Sequence, residues 1–517
     1  MKNASGLFAI ALIALAGLVS CAPLLSSSSV RNNSNPRIGE TGKFWTQNLQ
    51  TRHYERVDAE LLVIGSKCKI WAQQGMGISV NTARNIANTY DNSIYPKMMA
   101  AFGSTENFYH NKELVARDTL EFSSWMAKGD GRLTILLLDI QDGYTKGAGS
   151  YIAGYFWGNN YFDDPYSNYC DMIYIDIYPG VAGSRESNMT LAHELQHLMN
   201  FVTSVSKRPA PNVGGELTKP YQMDTWIDEG LSAAAEYVYA ERHNTERIHW
   251  FNGDYGSPNQ RLLWGDNFYV WGNYANSDPN SILNDYATVY LFFQWLRLQS
   301  GGSNAIYKDI INSSYSDYRS VLNAANDHMD TGYSNWGLLL RDWMAANYIN
   351  ASAGTYGYMN DSSLKSVQAM ITKGASSDRL SLAPGEGIYT QRTTTSGVAT
   401  SSNIRLAGLH KSSAQVSDNQ IASGGVLLSY NVDTNIRGSS ADCYPFPFVE
   451  TEEPLPYADA TFDVSRTSGT ARGLSPPPQF PRPYPIGAGD MLRLNGHEEG
   501  LPGFDFARLR EWVDGNE

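Results

Sequence analysis

The block from Met189 to Val202 constrains this chain more than any other stretch, because it joins a helical burial rhythm to a helical polar pair. Leu191, Leu195, Leu198 and Val202 fall at i, i+4, i+7 and i+11, the spacing of a stripe buried on one side of an α-helix. Inside the same run stand His193, Glu194, Leu195, Gln196 and His197. Positions i and i+4 lie one above the other on a helix, so His193 and His197 can point two imidazoles at one ion. Glu194 sits about 100° around the helix from His193, within reach of a water at that ion. Two core histidines satisfied by hydrogen bonds would show the same spacing. The helical context and the adjacent glutamate favour a zinc site with a general base beside it.

A catalytic zinc takes three protein ligands and leaves one corner for water. In the metzincin pattern a glycine and then a third histidine follow the second one at three-residue steps. Asn200 and Thr203 stand at those places, which excludes that class. The alternative is a carboxylate from a second helix, read at Trp226 to Ala240 in WIDEGLSAAAEYVYA. Glu229 is the preferred ligand because it heads a face that also carries Ser232, Ala233 and Glu236. Asp224, Asp228, Glu216 and Glu236 are rivals, and a solvated glutamate in a first helical turn is the bland alternative. Ala233, Ala234 and Ala235 allow a neighbouring helix to approach closely.

The rest of the chain frames these two helices. Glu60 to Trp71 reads as one or two strands, and Arg132 to Asp139, Tyr151 to Phe156 and Asp171 to Tyr178 read as further strands, the first of these three buried on both faces. Asn81 to Phe102 has helical spacing with a kink expected at Pro96. Asn188 or Thr190 is the expected cap of the HELQH helix. Further helices are expected over Asp285 to Gln299, Ile306 to Asn312 and Trp336 to Ile349. Short strands at Leu380 to Leu382, Ile404 to Leu409 and Gly425 to Val432 suggest a small β-rich domain. Residues 475–485, SPPPQFPRPYP, lie in a Pro-rich, irregular tail. The expected division is a signal segment over 1–21, a tether over 22–50, an α+β body over 51–350, a β-rich domain over 351–437 and the tail over 438–517.

These motifs resemble the gluzincin zinc metallopeptidases. WIDEG looks like the Trp-(x)-(Asn/Asp)-Glu-Gly segment through which that group presents its glutamate ligand. The run from Val57 to Ile349 resembles hyicolysin-type peptidases, in its long helix ending in FG, its strand before a Gly-rich turn, HELQH and WIDEGLS. The resemblance implies a zincin-like core of twisted sheet and active-site helices, followed by a helical subdomain. It implies Zn²⁺ on His193, His197 and Glu229, Glu194 as general base, and a protein or peptide substrate. It also implies a tyrosine on a later helix that stabilises the oxyanion. Tyr286, opening DYATVYLFFQWL, is the nearest match, with Tyr237, Tyr239 and Tyr290 as rivals. The aminopeptidase branch carries a Gly-x-Met-Glu-Asn segment, which is missing upstream of His193, so cleavage inside chains is expected. Glu236 or Asp228 is a candidate to orient the histidines. The strand edge at Tyr151 to Phe156 is a candidate to pair with an extended peptide.

Lys2, the apolar run Leu7 to Val19 and then Ser20 and Cys21 resemble a bacterial lipobox. That run is too short to span a bilayer. It implies a lipid on Cys21 and a body outside the cytoplasm, tethered to the cell envelope. With Cys21 acylated, Cys68, Cys170 and Cys443 remain, an odd number that allows one disulfide but implies no framework. The net charge of −13 makes nucleic acid an unsuitable partner. The competing reading is a surface adhesin or binding lipoprotein whose zinc site is structural or vestigial. A structural site is more often closed by four protein ligands, and only three convincing ones are present.

Overall fold

The computed structural model describes residues 36–51, 53–103, 131–144, 151–161, 166, 168, 170–207, 223–253, 265–271, 282–372, 380–391, 402–420, 425–436 and 441–443. Strands β1 (Thr41–Asn48), β2 (His53–Ile64), β3 (Cys68–Gln73), β4 (Leu133–Leu138), β5 (Gly154–Phe156) and β6 (Met172–Asp176) form one mixed sheet. Their order is β1-β2-β3-β4-β6-β5. The first three are antiparallel, β3, β4 and β6 run parallel, and β5 is an antiparallel edge on β6.

Period-two alternation divides the sheet's side chains between two cores. Ile70, Leu137 and Ile173 face the helices, while Trp71, Leu136 and Tyr174 face an aromatic cluster with Phe44 and Trp157. Every residue of β4 is buried, as its unbroken apolar run requires.

Part of the stretch 22–50 departs from its reading as a tether. Thr41–Asn48 pairs along its whole length with β2. Gly42, Phe44 and Thr46 turn inward in alternation, and polar Lys43, Thr46 and Gln47 hide that pattern.

The helices are α1 (Val80–Thr89), α2 (Tyr95–Phe102), α3 (Arg185–Lys207), α4 (Thr225–Ala240) and α5 (Thr245–Asn252). They continue with α6 (Ile282–Gln299), α7 (Ala305–Ile311), α8 (Tyr318–His328) and α9 (Trp336–Ile349). A π-helical turn, Tyr90–Ile94, separates α1 from α2. Pro96 lies in the first turn of α2, where its missing N–H costs nothing.

The cap expected at Asn188 or Thr190 is corrected to Ser184. Helix α3 begins at Arg185, and Ser184 Oγ accepts the Ser187 N–H at 3.0 Å. Asn188 and Thr190 lie inside the helix. Helix α8 was not anticipated from the sequence.

The remaining strands are β7 (Gly265–Asp266), β8 (Ile371–Thr372), β9 (Leu380–Leu382), β10 (Gly387–Gln391), β11 (Ile404–His410), β12 (Gln415–Asp418), β13 (Val426–Asn431) and β14 (Ala441–Cys443). The second sheet runs β12-β11-β13-β10-β7, with β8 also on β10. It therefore takes a strand from the middle of the chain, across the boundary expected at 350. Strand β14 pairs with β9, so regular structure extends past 438. Residues 444–517, and the lipobox with Cys21, lie outside the described residues. Among the described residues no helix is long and apolar enough to cross a membrane.

Candidate metal centre

Helix α3 is buried on both sides at its centre. Leu191, Leu195, Leu198 and Val202 fill the core as their spacing requires, and His193, Glu194 and His197 are each at most 2% exposed. The polar face is covered by α4. Trp226 fixes that helix, buried among Phe268, Tyr269, Phe292 and Trp336 at ring distances of 5.3–6.1 Å. Gly230 lets α6 approach, because a Cβ there would stand 2.2 Å from Phe293 Cε2. The tryptophan and glycine of WIDEG thus set the depth and rotation of α4, and Glu229 projects at α3.

The result is a buried trio. One ligand-capable atom from each of His193, His197 and Glu229 lies within 4.8 Å of the others. Glu229 Oε2 is 3.5 Å from His193 Nε2 and 3.4 Å from His197 Nε2. Glu229 is fully buried, which removes the reading of a solvated first-turn glutamate.

Each histidine is braced from behind. His193 Nδ1 lies 3.1 Å from Glu236 Oε1, and His197 Nδ1 lies 3.0 Å from Asp228 Oδ1. A carboxylate accepts, so each Nδ1 carries a proton, and each Nε2 faces Glu229, where its lone pair is available to a metal once that nitrogen is deprotonated. Asn200 Nδ2 donates to Asp228 Oδ1 at 2.6 Å. Ser232 Oγ lies 2.9 Å from His197 Nδ1 and donates to Gln196 Oε1. Asp228 and Glu236, weighed as rival ligands, therefore stand behind the histidines. Asp224 occupies the N-cap position of α4. Glu216 lies outside the described residues.

The electrostatics call for a cation. Glu194, Asp228, Glu229 and Glu236 are buried together, with Arg247 as the buried cation beside them. Burial opposes a charge on His193. Hydrogen bonds to Glu229 and Glu236 and the charge of Glu194 outweigh it, and its pKa is pushed up to about 9. Burial likewise opposes a charge on Glu236, but Arg247 and His193 hold it down at about 2. Two imidazole lone pairs and a carboxylate facing one point fit a divalent cation such as zinc.

Tyr286 lies close to this centre. Its ring is 6.2 Å from that of His193, and Trp271 packs edge-on against it at 4.9 Å. Of the rival tyrosines, Tyr290 places its hydroxyl 2.8 Å from His243 Nδ1, and Tyr237 packs on His243 and Arg297. Tyr239 is only half-buried at the end of α4. The edge strand β5 lies tight on α3, since a Cβ at Gly154 would stand 2.8 Å from Thr190 Cγ2.

Sequence reasoning missed Arg247. Its Nη2 donates to Glu236 Oε1 at 2.6 Å, and Asn244 Nδ2 donates to Glu236 Oε2 at 3.1 Å. Neither residue belongs to a recognisable motif or apolar rhythm.

A paired-histidine helix, a carboxylate from a second helix and an adjacent glutamate make up the equipment of a metal-dependent hydrolase. No family model matches the sequence. The chain is similar to the neutral metalloprotease ShpI of Staphylococcus hyicus, 28% identical over 341 residues, which is 65% of this chain and 68% of that protein. That similarity and the buried trio support a metallopeptidase, and with it peptide substrates.

Proposed function

We propose that the chain is an extracytoplasmic, zinc-dependent endopeptidase, tethered to a bacterial membrane by a lipid on Cys21. The observation that carries this reading is the buried convergence of His193, His197 and Glu229, each histidine braced by a carboxylate. Its similarity to a neutral metalloprotease supports peptidase chemistry.

His193, His197 and Glu229 would hold the zinc. When bound, zinc supplies Lewis acidity, polarising a peptide carbonyl and lowering the pKa of water toward about 7. Glu194 takes the proton of the attacking water and then delivers it to the leaving amine. The Tyr286 hydroxyl donates a hydrogen bond to the carbonyl oxygen as negative charge develops on it. Asp228 and Glu236 keep both imidazoles in the tautomer that a metal requires. Strand β5, the last of its sheet among the described residues, pairs with an extended substrate backbone, which suits cleavage within a chain.

The test is casein hydrolysis by the purified protein. Activity should vanish with 1,10-phenanthroline and return with zinc. Glu194→Gln should retain zinc and lose at least about a hundredfold in rate. Equal turnover by wild type and Glu194→Gln would remove Glu194 from the catalytic role, and a wild-type protein that binds zinc but cleaves no casein would be a binding protein with a structural metal.

A further inference from the structure

The side chain of Arg247 is one that the chemistry above does not use. It is fully buried. One end of its guanidinium donates to Glu236 Oε1 at 2.6 Å, the same oxygen that lies 3.1 Å from His193 Nδ1. Its central carbon lies 4.9 Å from the centroid of the Tyr286 ring. A single flat cation therefore touches the partner of one metal-site histidine and the ring of the candidate oxyanion donor.

The surroundings hold that cation in place. Helix α4 ends at Glu241 in the left-handed conformation, φ 49°, which turns the chain back. Asn244 caps α5 by accepting the Glu246 N–H, and its amide donates to Glu236 Oε2. The Tyr290 hydroxyl lies 2.8 Å from His243 Nδ1 and accepts the Asn244 N–H at 3.3 Å, tying the start of α5 to α6. Helix α5 then closes at Gly253, φ 78°. So α4, α5 and α6 each contribute a fixed point, and Arg247 is the side chain that joins them beside the metal centre.

We infer that Arg247 is a positioning residue: one guanidinium sets the His193 imidazole through Glu236 and carries the Tyr286 ring on its flat face. This inference rests on the metallopeptidase reading and goes beyond it, because it links two parts of the site that approach from different helices. A guanidinium suits both tasks. Its Nη2 donates to the carboxylate while its flat, weakly hydrated face lies against an aromatic ring. Lysine could satisfy Glu236 but offers no such face.

The experiment uses the full chain with Arg247→Met, Arg247→Lys, Glu236→Gln, Tyr286→Phe and the two double variants of Arg247→Met with the last two. One readout is the visible spectrum of the cobalt(II)-loaded protein, which reports ligand orientation and needs no turnover. Arg247→Met should shift that spectrum, and should shift it no further when Glu236→Gln is already present. The second readout is kinetic. Arg247→Met should lower kcat by about tenfold or more with KM within about twofold. In the Tyr286→Phe background the same change should cost less than about twofold, since coupled residues are not additive. Arg247→Lys should keep the cobalt spectrum of the wild type and still lose kcat, which also covers the case in which the methionine variant fails to fold. Full additivity in both backgrounds, or a lysine variant with wild-type kcat, overturns the role of Arg247 in a chain that otherwise binds metal and cleaves casein. A wild-type chain that takes up neither zinc nor cobalt overturns the metal-centre reading itself, and the inference with it.

Discussion

Asp228 Oδ1 lies 3.0 Å from His197 Nδ1, while Glu229, its neighbour in sequence, faces Nε2 of the same imidazole. One turn of α4 thus grips His197 from both sides. Asp228→Ala should weaken zinc binding by about ten- to a hundredfold, measured by competition with a chelator. Glu229→Ala should lose zinc outright. Full zinc occupancy in Glu229→Ala would mean that the third ligand is another group.

Tyr286 is expected to act only as charge develops. Tyr286→Phe should lower kcat by about a hundredfold while zinc content stays at the wild-type level. Tyr237→Phe and Tyr239→Phe should stay within about twofold of wild type in the same assay. An unimpaired Tyr286→Phe enzyme would move the oxyanion role elsewhere.

A methyl group at Gly230 has no room. The 2.2 Å approach to Phe293 means that Gly230→Ala must displace the Phe293 ring or push α4 from α6. Overpacking of this kind costs about 1–3 kcal/mol, and the melting temperature should fall accordingly. Because Glu229 is the next residue, zinc affinity should drop as well. A variant that melts and binds zinc like the wild type would contradict the packing described for this contact.

The proton on His193 gives the metal site a pH dependence. With its pKa near 9, a proton must leave before a metal binds at neutral pH. Zinc affinity should therefore rise by about tenfold per pH unit between pH 6 and 8. Calorimetry in buffers of different ionisation enthalpy should detect about one proton released per zinc. Affinity that stays flat over this range would rule out that competition.

Asp176 predicts a trend in stability. It ends β6, is buried, and accepts the Ile140 N–H at 3.0 Å and the Gly180 N–H at 2.9 Å. Burial outweighs those bonds and raises its pKa from 3.8 to about 7. The native state then holds this proton more tightly than the unfolded one. The group's stabilising contribution is full below about pH 4 and is lost as pH rises through 7. Asp176→Asn should flatten that decline in melting temperature between pH 4 and 7. An unchanged pH profile would show that Asp176 is not its source.

Much of the site was legible because its signals are local. The spacing of His193 and His197, the leucine stripe behind them and the small-residue face beside Glu229 each lie within one helix. Asp228 and Glu236 were in view, but only the packing of α3 on α4 shows which nitrogen each one holds. Arg247 was not legible, since its meaning depends on a reversal at Glu241 that returns α5 to α4. Strand β1 was missed because Lys43, Gln47 and Asn48 mask an alternation that only its pairing with β2 reveals. The start of α3 was read too late because its first turn, Arg185 to Asn188, is polar.

The pairing of Gly265–Asp266 with Gly387 and Ile388 has a consequence for how the molecule comes apart. Strand β10, already paired with β13 and β8, gains a further neighbour from a segment made more than a hundred residues earlier. During synthesis that earlier segment must wait for the later one before its backbone is satisfied. Clipping between residues 350 and 371 should therefore leave two fragments that still co-purify, and heating should dissolve helices α3 and α4 and the late sheet in a single cooperative transition.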